Sequence, residues 1–229
     1  MQLTVSDVAR LLNVAEKTVY RWLDDGELPA SKVNENYRVN PVELLEWAAA
    51  QGRELSPAFL RHFEPRQAPE ISAALEAGGV YYGVPGSDKR AVLEALARLP
   101  LPTGPDRALI AQIILAREEA GTTAIGGGIA IPHVRMPLVV RTQQPAVALC
   151  FLEKPVDFQA PDGKPVDTLF VLLSTSVRIH LYLLSKLAYL LHDAAFRAVL
   201  AKKAPAAELL AAVRTAEAPL RAEAAREQP

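Results

Sequence analysis

Along residues 3–52 the apolar positions come in short helical runs separated by turn residues. Val5, Val8, Ala9, Leu11 and Leu12 form a stripe at helical spacing. Thr4 heads that stripe with Asp7 three residues on, the reciprocal arrangement of a capping box. Asn13-Val14-Ala15 interrupts it. Glu16–Leu23 then resumes with Val19, Trp22 and Leu23 on one side, until Asp24-Asp25-Gly26 stops the second helix and Pro29 prevents a restart. Lys32–Val39 alternates around Asn34-Glu35-Asn36, which predicts a small hairpin or wing. Pro41 suits a first helical position, and Val42, Leu44, Leu45, Trp47 and Ala48 supply a third apolar face. Two short helices, a tight turn and a wing predict a winged helix-turn-helix over residues 1–52.

Residues 53–69 hold Pro57, Pro65 and Pro69 among charged residues and read as a linker, with a short helix near Ala58–Phe63. His62 there reads as a surface histidine. Beyond it, residues 70–214 mix helices and strands. Lys89–Leu99 follows Ser87-Asp88 and repeats Val92, Leu93, Leu96 and Leu99 at helical spacing; Asp106–Glu119 does the same with Leu109, Ile110, Ile113 and Ile114. Ala146–Leu152 and Val166–Leu173 are apolar runs of strand length, joined through the turn signal Asp162-Gly163. Val177–Leu191, Ala194–Ala201 and Ala206–Val213 read as helices. The expected fold class is α/β (α+β): a small winged helix-turn-helix domain, then a mixed β-sheet with flanking helices. Residues 215–229, rich in Ala, Glu and Arg, are expected to form a frayed helix or flexible tail.

Composition narrows this picture. With 229 residues, half of them apolar and 22% charged, the chain is globular and large enough for one large and one small domain. A net charge of −1 gives no global pull toward nucleic acid or membrane. The single cysteine, Cys150, excludes an intrachain disulfide and a Cys-rich zinc site, and a reducing cytoplasm is the expected location. Met1–Val14 already contains Asp7 and Arg10, so no signal peptide is expected, and no run approaches the roughly 20 apolar residues of a membrane span.

The richest chemistry lies in Gly121–His133. Gly126-Gly127-Gly128 does not open onto a helix as a dinucleotide-binding loop does, and no Lys-Ser/Thr follows as in a nucleotide P-loop. Glycines can instead turn backbone N–H groups into a nest for an anion. A histidine beside such a nest can carry a phosphoryl group, because neutral imidazole is a good nucleophile near pH 7. Residue chemistry leaves open a histidine that merely ends a strand after a glycine loop.

Two resemblances add to that reading. Leu3–Leu12, Lys17–Trp22 and Gly26–Pro29 resemble the excisionase and MerR-like DNA-binding domains. The resemblance implies that the second helix enters the major groove and the wing touches the backbone, so that Lys17, Thr18, Tyr20, Arg21, Lys32 and Arg38 face DNA, with a homodimer as the possible binding form. Ala15 stands where a Ser or Thr cap is usual. Residues 1–52 carry five basic and eight acidic residues, a net −3 where phosphate neutralisation calls for the opposite. A protein-interaction module of the same shape therefore stays open.

Arg117-Glu118, Gly121-Thr122-Thr123, Ile125-Gly126 and Ile129-Ala-Ile-Pro-His133 resemble the type-2 enzyme IIA family of the phosphotransferase system. Val156-Asp-Phe158, Asp162-Gly163 and His180–Ala188 continue the likeness across 70–214. It implies that His133 takes a phosphoryl group from a phosphorylated histidine-containing phosphocarrier protein, with His180 and Arg117 lining the pocket and no metal or cofactor. Thr123, Gly126, Gly127 and Gly128 are the expected phosphate-binding positions. His192, beside Asp193, is expected only to complement a helix end. Val134 departs from the small residue common after the histidine, and Thr123-Ala124 from the usual Thr-Gly. The functional expectation is phosphorylation-linked transcriptional regulation. The alternatives are a sensor of an anion or metabolite without phosphorylation, and a sugar-transport enzyme IIA.

Overall fold

The computed structural model describes residues 2–51, 53, 62–65, 69–101, 107–133 and 144–226. The N-terminal unit contains α1 (Val5–Leu11), α2 (Glu16–Asp24), β1 (Ser31–Val33), β2 (Asn36–Arg38) and α3 (Pro41–Ala50). Its capping box is formed: Thr4 Oγ1 accepts from the Asp7 N–H at 3.1 Å, and the Asp7 carboxylate accepts from the Thr4 N–H at 3.0 Å. Those bonds, the backbone one foremost, hold the Asp7 carboxyl below its ordinary range. Ala15 gives α2 no side-chain cap. The wing turns through Asn34 and Glu35, both at positive φ (48° and 61°), the backbone that a two-residue hairpin requires.

The larger unit runs α4 (Ile71–Gly78), β3 (Val80–Val84), α5 (Lys89–Leu96), α6 (Arg107–Glu119), β4 (Ala124–Gly126), β5 (Ile129–Ala130), β6 (Ala146–Val156), β7 (Val166–Leu173), α7 (Val177–Leu190), α8 (Ala194–Ala201) and α9 (Ala206–Arg226). Five strands form one mixed sheet in the order β3-β6-β7-β5-β4, parallel at β3–β6 and β5–β7 and antiparallel elsewhere. The apolar runs of β6 and β7 are explained by burial on both faces. Val147, Leu149, Phe151, Phe170 and Leu172 join the cluster that includes α4, α7, α8 and α9, and Ala148, Cys150, Leu169 and Val171 join the one formed by α5 and α6. Burial pushes the Cys150 thiol up to about 12, so it serves as core rather than chemistry.

Two features differ from the sequence expectation. Residues 71–84 form a helix and a strand that the pattern left unassigned. Gly78 lets α4 lie against β6, where a Cβ would collide with the Val147 carbonyl. Of the expected linker helix, His62 and Phe63 are helical and the rest lies outside the described residues. Most important, the described residues after Val213 stay helical. Helix α9 continues to Arg226, past Pro219. The reason is Glu217, fully buried, whose carboxylate accepts from the N–H groups of Ile71 and Ser72 and from the Ser72 hydroxyl (2.9 Å). It satisfies otherwise orphaned donors at the start of α4.

The two units share one core. The apolar cluster on the α7 side of the sheet runs without a break through Leu44, Leu45, Trp47 and Ala48 of α3 into the helix-turn-helix unit. Helix α3 packs on α7 and β4.

If residues after 213 were a solvated tail, Glu217→Ala would change stability by no more than about 0.5 kcal/mol. Because it leaves buried N–H groups without an acceptor, the expected loss is about 1–3 kcal/mol in denaturant unfolding.

Candidate functional site

His133 follows β5 and continues its parallel pairing with β7 through a bridge to Leu172. Its side chain is 1% exposed. Nδ1 lies 2.7 Å from the Ile131 carbonyl oxygen, which can only accept, so Nδ1 carries the proton and donates. That orientation leaves Nε2 as the atom able to act as a nucleophile. Nε2 lies 2.8 Å from Oε1 of Glu46, on α3 of the N-terminal unit. The other Glu46 oxygen, Oε2, takes a 2.6 Å ion pair from Arg117 at the end of α6. Arg117 also donates to the Gly121 carbonyl at 2.8 Å, and its Nε has no partner among the described residues.

His180 enters from the first turn of α7, a helix capped by Ser176. Its ring centroid is 5.1 Å from that of His133. Nδ1 is 3.3 Å from the Ser174 hydroxyl, and Nε2, also buried, has no partner among the described residues. Burial first, and then the charge of His133, push His180 from 6.5 down to about 3, so its imidazole is neutral. For Glu46, burial works to raise the pKa. The hydrogen bond and charge of His133, then those of Arg117, outweigh it and lower the carboxyl from 4.5 to about 2. A small cavity of about 60 Å³ at this point is lined by Glu46, Thr122, Thr123, Ile131 and His133 among others.

Of the expected site residues, the structure therefore brings together His133, His180 and Arg117. Thr123 lines the cavity, but its hydroxyl donates to the buried Glu118 carboxylate at 2.5 Å. Gly126, Gly127 and Gly128 do not join it. All three have positive φ and form the β4–β5 turn. The Gly127 N–H is taken by the Asp162 carboxylate at 2.8 Å, which together with the Lys164 N–H holds Asp162 below its ordinary range. Gly127 and Gly128 open on a separate cavity that shares no lining residue with the one at His133. The expected anion nest is thus a hairpin turn. Val134 lies outside the described residues. His192 lines other cavities at the α7–α8 junction.

On the N-terminal unit, Lys17, Tyr20, Arg21 and Lys32 are exposed, and Thr18 and Arg38 are half-buried. Helix α2 and the wing are tied together. Tyr37 meets Tyr20 edge-on at 6.3 Å, its hydroxyl donates to Asp24 at 3.1 Å, and Lys32 lies over its ring.

Comparison with known proteins decides the family. The family described as "Phosphoenolpyruvate-dependent sugar phosphotransferase system, EIIA 2" matches residues 75–215. The chain belongs to this EIIA family. A helix-turn-helix domain family matches residues 3–52. A "Nitrogen regulatory protein" of Pseudomonas aeruginosa is 43% identical over 144 residues, covering 61% of this chain and 91% of that protein. Its namesake in Escherichia coli is 40% identical over 111 residues, 47% of this chain and 66% of that protein. The solved structure of nitrogen regulatory protein IIA-Ntr from Neisseria meningitidis aligns with a TM-score of 0.55 at 31% identity, covering 62% of this chain and 98% of that one. The EIIA match thus lies within the larger unit and the helix-turn-helix match within the N-terminal one. Among the described residues no helix is long and apolar enough to cross a membrane.

Glu46 is the site residue that sequence reasoning missed. The available signal was the breadth of the α3 face: Val42, Leu44, Leu45, Trp47 and Ala48 are too many for a helix covered on one side. An acid in such a run needs a buried partner.

The lowered Glu46 pKa sets a pH window. Its ion pairs contribute fully above the ordinary carboxyl value near 4.5 and are lost as pH falls through about 2. Wild type should exceed Glu46→Gln in stability by on the order of 3 kcal/mol above that window, with the difference shrinking across it. Acid titration of both proteins, followed by the fluorescence of Trp22 and Trp47, would measure this. A pH-independent difference would refute it.

Proposed function

We propose that the protein is a phosphoacceptor of the phosphotransferase type. In this reading His133 takes a phosphoryl group from a histidine-containing phosphocarrier protein, and the helix-turn-helix unit converts that state into a change in transcription. The observation that carries the first half is the histidine itself: buried, oriented by the Ile131 carbonyl, with Nε2 facing a guanidinium-bound anion position. Phosphoryl transfer needs positioning and charge stabilisation more than covalent help from the protein. Arg117 provides a planar cation at the place where phosphoryl oxygens would lie. The Nε of Arg117 and Nε2 of His180, without a partner among the described residues, are buried polar atoms that such oxygens would satisfy.

The step balances simply. The Nε2 lone pair of neutral His133 forms the new P–N bond while the donor's N–P bond breaks. That electron pair returns to the donor nitrogen, which leaves as neutral imidazole. The proton on Nδ1 stays on its bond to Ile131.

The attached helix-turn-helix and the name of the nitrogen regulatory relatives favour regulation over sugar transport. The acidic balance of residues 1–52 keeps a protein partner as the second reading of that unit.

Incubation with phosphorylated carrier should give one acid-labile phosphoryl group, absent in His133→Ala. His180→Ala should retain the label while slowing its arrival by roughly 100-fold. Label that survives in His133→Ala would overturn the assignment.

A duplex selected from random sequence should bind with a salt dependence that weakens in Lys17→Ala and Arg21→Ala, each lowering the slope by about 1. Failure to select any duplex would leave the protein-partner reading.

A further inference from the structure

The anion that closes the His133 site belongs to the helix-turn-helix unit. One oxygen of Glu46 sits on Nε2 of His133 and the other on Arg117. A phosphoryl group bonded to Nε2 would present its oxygens to the same guanidinium. We propose that Glu46 is a built-in substitute for the phosphoryl group, so that docking of α3 and phosphorylation of His133 exclude each other. The inference rests on the phosphoacceptor reading of His133 and specifies how the two domains are coupled.

Position supports it first. Oε1 lies 2.8 Å from Nε2, in the direction along which phosphorus must approach, so the new bond cannot form until the carboxylate leaves.

Hydrogen bonding supports it second. Both neighbours of the His133 ring, the Ile131 carbonyl and the ionised Glu46 carboxylate, are acceptors. Each ring nitrogen is therefore engaged in the docked form, and the position from which phosphorus would reach Nε2 is taken by Glu46. When Glu46 withdraws, Nε2 is freed to act as the nucleophile.

Packing supports it third. Glu46 is delivered by a helix whose neighbours Leu44, Leu45, Trp47 and Ala48 are all buried, on elements α7 and β4 of the phosphoacceptor domain. Leu45 and Glu46 both line the cavity at His133. A carrier protein that brings its phosphohistidine to Nε2 must replace them.

The DNA-facing surface is not what docking hides. Lys17, Tyr20, Arg21 and Lys32 remain exposed while α3 is docked. Phosphorylation would therefore change how the helix-turn-helix unit is held, and with it the geometry available to a second copy or to DNA, without uncovering α2. A phosphoryl group brings up to about two negative charges to a site now occupied by one carboxylate, and the two cannot share Arg117.

The test uses the full chain as wild type, Glu46→Gln and Glu46→Ala. Each is treated with phosphorylated carrier protein and, separately, with phosphoramidate, a small donor that needs no protein docking. Incorporation at His133 is followed by intact mass and peptide mapping. Hydrogen exchange of residues 41–48 and 177–190 is read before and after. Both variants should be phosphorylated roughly 10- to 100-fold faster than wild type with either donor. Phosphorylation of wild type should raise exchange in residues 41–48. Equal rates in all three proteins, or unchanged exchange on phosphorylation, would overturn the inference while leaving His133 as the acceptor. No phosphoryl group in any of the three with either donor would overturn the acceptor reading and the inference together.

Discussion

Helix α3 is apolar around more of its circumference than the small N-terminal unit can cover. Trp47 meets Trp22 at a tilt, ring centroids 5.0 Å apart, on the inner side, with Arg53 over both rings. The remaining apolar surface lies on α7 and β4 of the larger unit. Burying such a surface is the main favourable term available to a protein. The two units are accordingly one body with one continuous core rather than beads on a tether. The interface between them lies directly over His133, and this position is what places a carboxylate of one unit against Arg117 and His133 of the other.

The electrostatics of that point follow from burial. A lone carboxylate taken out of water would become neutral, and a lone arginine would be costly to bury. Glu46, Arg117 and His133 make each other tolerable, with the carboxyl held ionised at about 2 against its own desolvation. His180, equally buried and facing the same positive charge, stays neutral at about 3. The site therefore holds two imidazoles 5.1 Å apart, that of His180 neutral. Removing the anion leaves an arginine and two histidines around a space that calls for another one.

The fold supports this with ordinary means. Burial on both faces of β6 and β7 holds the strand that leads to His133, and Leu172 of β7 fixes the residue itself. Ser176 caps α7 and sets His180 in its first turn. Glu217, reaching from α9 to the start of α4, ties the end of the described chain to the layer on which α3 rests.

Local features were legible in the sequence because they depend on neighbours within a few residues. The Thr4–Asp7 capping box, the turn at Asn34-Glu35, the apolar strands and the Ile129–His133 segment each involve a short stretch of backbone or a period of two or 3.6. His133, His180 and Arg117 could be named together because a family pattern ties them, and the structure brings them to one place. The glycines misled because positive φ serves a hairpin as readily as an anion nest, and only the position of Asp162, 35 residues on, decides between them. The tail misled because the burial of Glu217 depends on donors 145 and 146 residues away. Glu46 is the clearest case. Within its own unit it is one acidic residue among eight. Its role arises from an ion pair with Arg117 and a hydrogen bond 87 residues along the chain, and a charge acquires such partners only when packing has brought distant segments together and excluded water from between them.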